Sequence, residues 1–255
     1  MDRLERERTF HNKQVEEGFR SRRLLDRMQE TYCDKQQDSI MWAQVWRELD
    51  LNGKTVLDYG CGAGDLSYEL TRRAPTARVY GIDLSDSLIA LAQKGVAAPG
   101  AQKPEFSVQD AHQTDFPSGC FDVVFGQAIL HHLEMQRAFG EIARILKPGG
   151  RAFFAEPLGR HPIVRLVRWA TPSARSADER PLNIKAISQA DEFFAKVRHT
   201  EFYFLAVAAA PLNLISPRAA GRAVKLLHRV DHALLAAIPG LRPYAWYTLI
   251  EFQKS

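Results

Sequence analysis

Residues 56–65 read VLDYGCGAGD: an apolar run that closes on Asp58, glycines at 60, 62 and 64, and then Asp65, which opens DLSYELTRRA (65–74). Glycines at alternate positions let a chain turn through backbone angles closed to other residues, and let a ligand rest against the main chain. A helix that follows such a turn directs its unpaired N–H groups at the same place. Upstream, Asn52-Gly53 marks a turn, and downstream the alternation of short apolar runs and helical stretches continues. The strand candidates are TVLDYG (55–60), RVYGID (78–83), EFSVQD (105–110), FDVVFGQ (121–127) and RAFFAEP (151–157). Between them lie SDSLIALAQKG (85–95) and LEMQRAFGEIARIL (133–146), and Lys147-Pro148-Gly149-Gly150 turns the last helix into a strand. Alternation of this kind implies βαβ units and a parallel sheet buried on both faces. Right-handed crossovers then gather the C-terminal ends of the strands along one edge, where open α/β sheets bind ligands.

Two ligand classes compete for the glycine turn. A dinucleotide fingerprint, G-x-G-x-x-G, needs its third glycine at position 65, where Asp65 stands, and a carboxylate there repels a pyrophosphate. The G-x-G-x-G present here, with Asp58 two residues before it, resembles motif I of the class I S-adenosylmethionine-dependent methyltransferases. The resemblance covers roughly residues 52–157, with the later segments in the same order.

It implies an α/β fold with a doubly wound, seven-stranded, mostly parallel sheet, the Rossmann-like methyltransferase fold. The last strand is expected antiparallel, so AWYTLIEF (245–252) enters as a hairpin strand. The implied cofactor is S-adenosyl-L-methionine, leaving S-adenosyl-L-homocysteine, and no metal is expected. The implied cofactor contacts are Asp58, Gly60, Cys61, Gly62 and Gly64 in the loop, with Cys61 a small filler. Asp83-Leu84 ends the second strand, where a carboxylate can accept from both ribose hydroxyls. Asp110-Ala111 ends the third strand, where the family contacts adenine, and Gln127 closes the fourth. His131 and His132 follow the fourth strand, near the expected methyl group. A neutral imidazole there can take a proton near pH 7, although a structural role accounts for the pair as well. Glu156 and His161 lie on the same edge and could touch the acceptor or cap a loop.

Around this centre, residues 1–50 are expected to form an N-terminal helical cap, with Phe19, Leu24, Leu25 and Met28 and then Ile40, Val45, Trp46 and Leu49 at helical spacing. The even mixture of charges over residues 1–30 reads as a solvated helix surface. Residues 51–255 form the methyltransferase domain, with a SAM-binding core at 52–157 and substrate-side insertions at about 158–196 and 208–243. HTEFYFLAV (199–207) reads as a strand and residues 217–238 as a helix stopped by Pro239-Gly240. On that helix Arg218, Arg222, Lys225, Arg229 and His232 line one face, and Leu227, Val230, Leu234 and Ile238 lie opposite. Asp231 falls on the apolar side, one turn after His228, either pairing beneath the helix or facing a substrate.

Composition bounds the function. The chain has 255 residues, 45% of them hydrophobic, so it can bury a sizeable core. No apolar run reaches the roughly 18 residues of a membrane span, and the charged N-terminus has no signal-peptide core, so a cytoplasmic protein is expected. Cys33, Cys61 and Cys120 are too few for a disulfide framework. The net charge of +4 is concentrated in the C-terminal half, where Arg160, Arg165, Arg168, Arg175 and Arg180 face only Asp178 and Glu179. A basic half invites acidic partners, and a basic amphipathic helix can lie on an anionic membrane surface as a peripheral contact. FGQA stands where many DNA and some protein amide methyltransferases carry N-P-P-Y or D-P-P-Y, and no stacking aromatics interleave the basic residues, so no nucleic acid is favoured. The expected enzyme transfers a methyl group to O, N or C of a small, partly apolar acceptor. An RNA or protein methyltransferase using the basic surface, and a non-catalytic SAM-binding regulator or scaffold, stand as alternatives. The oligomeric state does not follow from the sequence.

Overall fold

The computed structural model describes residues 2–16, 40–170 and 181–255. The expected apolar positions Phe19, Leu24, Leu25 and Met28, together with Cys33, Arg175, Asp178, Glu179 and Arg180, lie outside the described residues. Helix α1 (Arg3–Glu16) and α2 (Ile40–Glu48) precede the sheet. Then follow β1 (Thr55–Tyr59), α3 (Asp65–Arg73), β2 (Arg78–Asp83), α4 (Asp86–Gln93), β3 (Glu105–Val108), β4 (Phe121–Gln127), α5 (Met135–Ile145) and β5 (Leu146–Pro157). The later part holds α6 (Pro162–Ala170), α7 (Ile184–Ile187), β6 (Lys196–Phe202), α8 (Pro217–Ala237) and β7 (Tyr247–Gln253). The seven strands form one sheet in the order β3-β2-β1-β4-β5-β7-β6, with β7 inserted antiparallel to both β5 and β6. The doubly wound, mostly parallel sheet expected from the alternation is present.

Both faces of the sheet are buried, which is why the central strands read as nearly unbroken apolar runs. Successive residues serve opposite layers: Val56, Val123, Phe125, Phe153 and Leu249 pack on one side with Trp42 and Leu70. Leu57, Val124, Phe154 and Ile250 pack on the other with Phe139 and Ile142 of α5. In that second layer Phe252 stacks on Phe194 with ring centroids 4.6 Å apart.

The structure differs from the pattern reading in four places. The third strand ends at Val108, so Asp110 and Ala111 sit in the turn beyond it. The strand expected over 199–207 stops at Phe202; Tyr203 has φ 63, and a 3-10 helix runs from Ala206 to Leu214. The cause is Asp231 of α8, fully buried, whose carboxylate accepts from the backbone N–H groups of Phe204, Leu205 and Ala206 at 3.0, 2.7 and 3.1 Å. Asp231 therefore caps the backbone that follows β6. On α8, Leu227 and Leu234 are partly covered, but Val230 and Ile238 are exposed. Finally, β5 begins at Leu146, so Lys147-Pro148-Gly149-Gly150 lies within the strand. The described part of 158–196 is mostly helical, with α6, α7 and a 3-10 helix (Ser188–Glu192), and α6 buries none of its side chains, leaving Ile163, Leu166 and Trp169 exposed. No helix among the described residues is long and apolar enough to cross a membrane.

Candidate active site

The strand order reverses between β1 and β4, and α/β sheets open a ligand crevice at such a switch point. An open cavity of about 850 Å³, counting the space at its mouth, lies there. It is lined by Gly60 and Gly62 after β1, Asp83 and Leu84 at the end of β2, Gln109, Asp110 and Ala111 after β3, and Ala128 and Ile129 after β4.

Asp83 organises the crevice. One carboxylate oxygen accepts from Gly62 N–H and the other from Ser85 N–H, each at 2.9 Å. An ionised carboxylate has about four acceptor positions, so two backbone bonds leave capacity for ligand hydroxyls. Gly62 itself has φ 53, and a Cβ built on it would meet no protein atom within 4 Å. Its free side is the cavity, so the backbone there forms a cradle that a side chain would fill. Asp110 also lines the cavity while accepting from the His112 backbone N–H at 2.9 Å.

Other sequence-singled residues stand behind the lining. Asp58 is buried and accepts from Ser67 Oγ at 2.6 Å, tying β1 to α3. Loss of hydration on burial pushes Asp58 up to about 7; the Ser67 hydrogen bond opposes this and the nearby Asp83 reinforces it. A carboxyl raised in the native state holds its proton more tightly there than in the unfolded chain, so its contribution to stability falls as pH rises from about 4 to about 7. Asp58→Asn removes that dependence. In urea unfolding its stability relative to wild type should rise through this window and level off above it, and a pH-independent difference would refute the assignment. Cys61 is buried behind the loop, and burial pushes its thiol up, so it is no nucleophile. A Cβ at Gly64 would press on Phe106 and Ala92, and neither Gly64 nor Gln127 is among the residues lining the cavity.

The two histidines part company. His131 is buried, with Nδ1 2.8 Å from Glu156 Oε2, and is absent from the lining; the same carboxylate accepts from the Ile129 and Leu130 N–H groups at 2.8 Å each. Glu156 and His131 are thus a loop anchor. His161 is likewise engaged, with Nε2 2.9 Å from the carbonyl oxygen of Phe204. His132 does line the cavity.

The solvated reading of residues 1–30 fails for α1. Arg3, Leu4, Glu7 and His11 line the cavity, and Glu7 is only 5% exposed. Arg3 donates to the carbonyl oxygen of His132 at 2.8 Å, and Asn12 donates to Asp86 at the start of α4 at 2.7 Å, so α1 bridges the crevice. The signal available in sequence was the spacing 3, 7, 11, which places three polar residues on one helix face.

Residues 56–150 match the family described as "Methyltransferase domain". The likeness to a methyltransferase domain lies in this segment. The demethylmenaquinone methyltransferase of Lactococcus lactis subsp. lactis is 31% identical to the chain over 147 residues, covering 57% of the chain and 58% of the relative. That of Thermus thermophilus is 38% identical over 111 residues, covering 42% of the chain and 49% of the relative. The chain therefore spans about half the length of these curated relatives. Among solved structures, a SAM-dependent methyltransferase from Thermotoga maritima superposes with a TM-score of 0.61 at 13% identity, over 97% of this chain and 99% of that one. At that identity the superposition establishes the fold. The methyltransferase domain supplies the Gly60–Gly64 turn and the ends of β1 to β4, while α1 closes over it from outside the matched segment.

Proposed function

We propose that the chain is an S-adenosylmethionine-dependent methyltransferase acting on a small, partly apolar acceptor at O, N or C. The observation that carries this is the Gly62 cradle latched to Asp83 at the switch point of a methyltransferase domain. The residues fit the cofactor. Gly60 and Gly62 would bear its amino-acid portion, Asp83 its ribose hydroxyls, and Leu84, Asp110 and Ala111 its adenine. Asp83 and Asp110 in the lining suit a ligand carrying an ammonium and a sulfonium better than a pyrophosphate. When bound, S-adenosylmethionine supplies a methyl group already activated on sulfur, so the protein's work is alignment and exclusion of water.

Leu4, Leu88, Ile129 and Leu133 give the rest of the cavity an apolar wall. The acceptor demethylmenaquinone, named for the curated relatives, is of that character and supports the small-molecule reading over RNA or protein. Of the two histidines, only His132 is among the residues lining the cavity, which supports it over His131 as the one to touch an acceptor.

Calorimetric titration of the full chain tests the proposal. S-adenosylmethionine and S-adenosylhomocysteine should bind with dissociation constants on the order of 1–100 μM, and NADH should not bind. Failure of both sulfur ligands on folded, ligand-free protein would overturn it, and NADH binding in their place would restore the dinucleotide reading.

A further inference from the structure

The cavity mouth holds a constellation that cofactor binding does not use. Glu7 Oε2 lies 3.7 Å from His11 Nε2 and 3.3 Å from His132 Nδ1, and the three atoms all fall within 4.8 Å of one another. Both separations exceed the roughly 2.7–2.9 Å of a charge-assisted N–H···O bond. Donor atoms bound at about 2.0–2.2 Å to one metal ion stand about 3.0–3.5 Å apart, so small side-chain adjustments bring this set to coordination distance. Two imidazoles and a carboxylate form a donor set suited to zinc and its neighbours among the divalent transition metals, and not to magnesium or calcium.

The supports come from two directions. Glu7 and His11 are one turn apart on α1, and α1 is fixed at Arg8 and Asn12 to Asp86. His132 belongs to the 3-10 turn after β4, where Arg3 holds its carbonyl oxygen and Glu156 anchors the preceding N–H groups. Glu7, His11 and His132 all line the cavity. Three protein ligands beside an open cavity leave at least one coordination position for solvent or substrate, as catalytic metal sites do.

We propose that Glu7, His11 and His132 bind a divalent zinc-class metal ion whose open position faces the acceptor. The ion would take an acceptor oxygen, a hydroxyl, phenol or enol, and favour its ionised form, the O–H proton leaving to solvent at the open mouth and the oxygen lone pair attacking the methyl carbon as the C–S bond breaks. The oxygen-acceptor class rests on the methyltransferase reading; the metal site rests on the cluster alone. Sequence spacing carries no metal signature here, because His132 joins the two helix residues only through the fold.

The test uses the full chain, stripped with chelator and titrated with Zn²⁺ by calorimetry and with Co²⁺ by visible absorption. The expected result is saturable binding of one Zn²⁺ per chain, with d–d bands from Co²⁺. Loss of an outer-shell partner of a metal ligand alone weakens binding about 10–100-fold, so His11→Ala and His132→Ala should each weaken Zn²⁺ by at least that much. Glu7→Gln keeps the side chain's shape and should do the same if either alanine variant fails to fold. Absence of saturable binding, or variants that bind Zn²⁺ as tightly as wild type, overturns the site. Titration of S-adenosylmethionine on the stripped protein separates the two readings. Zn²⁺ uptake without cofactor binding sinks the methyltransferase proposal alone, whereas cofactor binding without Zn²⁺ uptake sinks the metal site alone.

Discussion

Gly62→Val is expected to leave the chain folded and to weaken S-adenosylmethionine binding by more than about a hundredfold, roughly 2.7 kcal/mol. A Cβ added at Gly62 meets no protein atom within 4 Å, so the valine side chain grows into the open space of the cavity that Gly62 lines. Its cost to folding is backbone strain at φ 53, about 1–3 kcal/mol for a β-branched residue, against a total stability of about 5–15 kcal/mol. A melting temperature lowered by about 2–10 °C should accompany the loss of binding. The neighbouring glycines make the comparison specific. A Cβ at Gly60 would lie 2.7 Å from Ile129 Cγ1, and one at Gly64 would lie 2.9 Å from Phe106 Cζ and 3.1 Å from Ala92 Cβ. Substitutions there push against packed side chains, so Gly64→Val should fail mainly in stability and Gly62→Val mainly in binding. Calorimetric titration alongside thermal unfolding of both variants separates the two effects. A folded Gly62→Val protein that binds the cofactor as wild type does would show that the ligand does not rest on this turn.

Much of the fold is legible in the sequence for one physical reason. A parallel sheet covered on both faces needs short, almost continuous apolar runs, and turns between strand and helix need glycine and aspartate at fixed places. That is why the five strands from Thr55 to Pro157 appear in the expected order, although β3 ends earlier and β5 begins earlier than their residues suggest, and why Asp83 stands at the cavity. What depends on contacts distant in sequence is not legible. The apolar run after Phe202 looks like more strand, but Asp231, from a helix later in the chain, takes the N–H groups of Phe204 to Ala206 and bends the backbone away. Asp58 and His131 have the right chemistry at the right strand ends, yet Ser67 and Glu156 hold them behind the lining. Glu7 and His11 are hidden for the opposite reason. Among so many charged residues a polar stripe looks like a solvated surface, and only the docking of α1 shows that the stripe covers the cavity.

That cavity depends on one carboxylate, and Glu156→Ala is expected to cost about 3–5 kcal/mol in urea unfolding. Glu156 is fully buried at the end of β5, next to the end of β4 in the sheet. Its Oε1 accepts from the N–H groups of Ile129 and Leu130, and its Oε2 lies 2.8 Å from His131 Nδ1. Truncation to alanine leaves these groups without their acceptor where water has poor access, and hydrogen bonds to a carboxylate contribute about 1.5–3 kcal/mol each. The loop they hold begins at Ala128, whose φ of 55 is unfavourable for a residue with a side chain and persists only under such restraint. Ala128, Ile129, His132 and Leu133 all line the cavity, so the loss should reach binding as well as stability. Glu156→Gln separates the anchor from simple packing. It fills the same volume and keeps one acceptor oxygen for Ile129 and Leu130, but it turns a donor toward His131. Its cost should be about 1–2 kcal/mol, clearly less than that of alanine. If alanine and glutamine cost the same, or if alanine costs less than about 1 kcal/mol, Glu156 fills space and the post-β4 loop is held by something else.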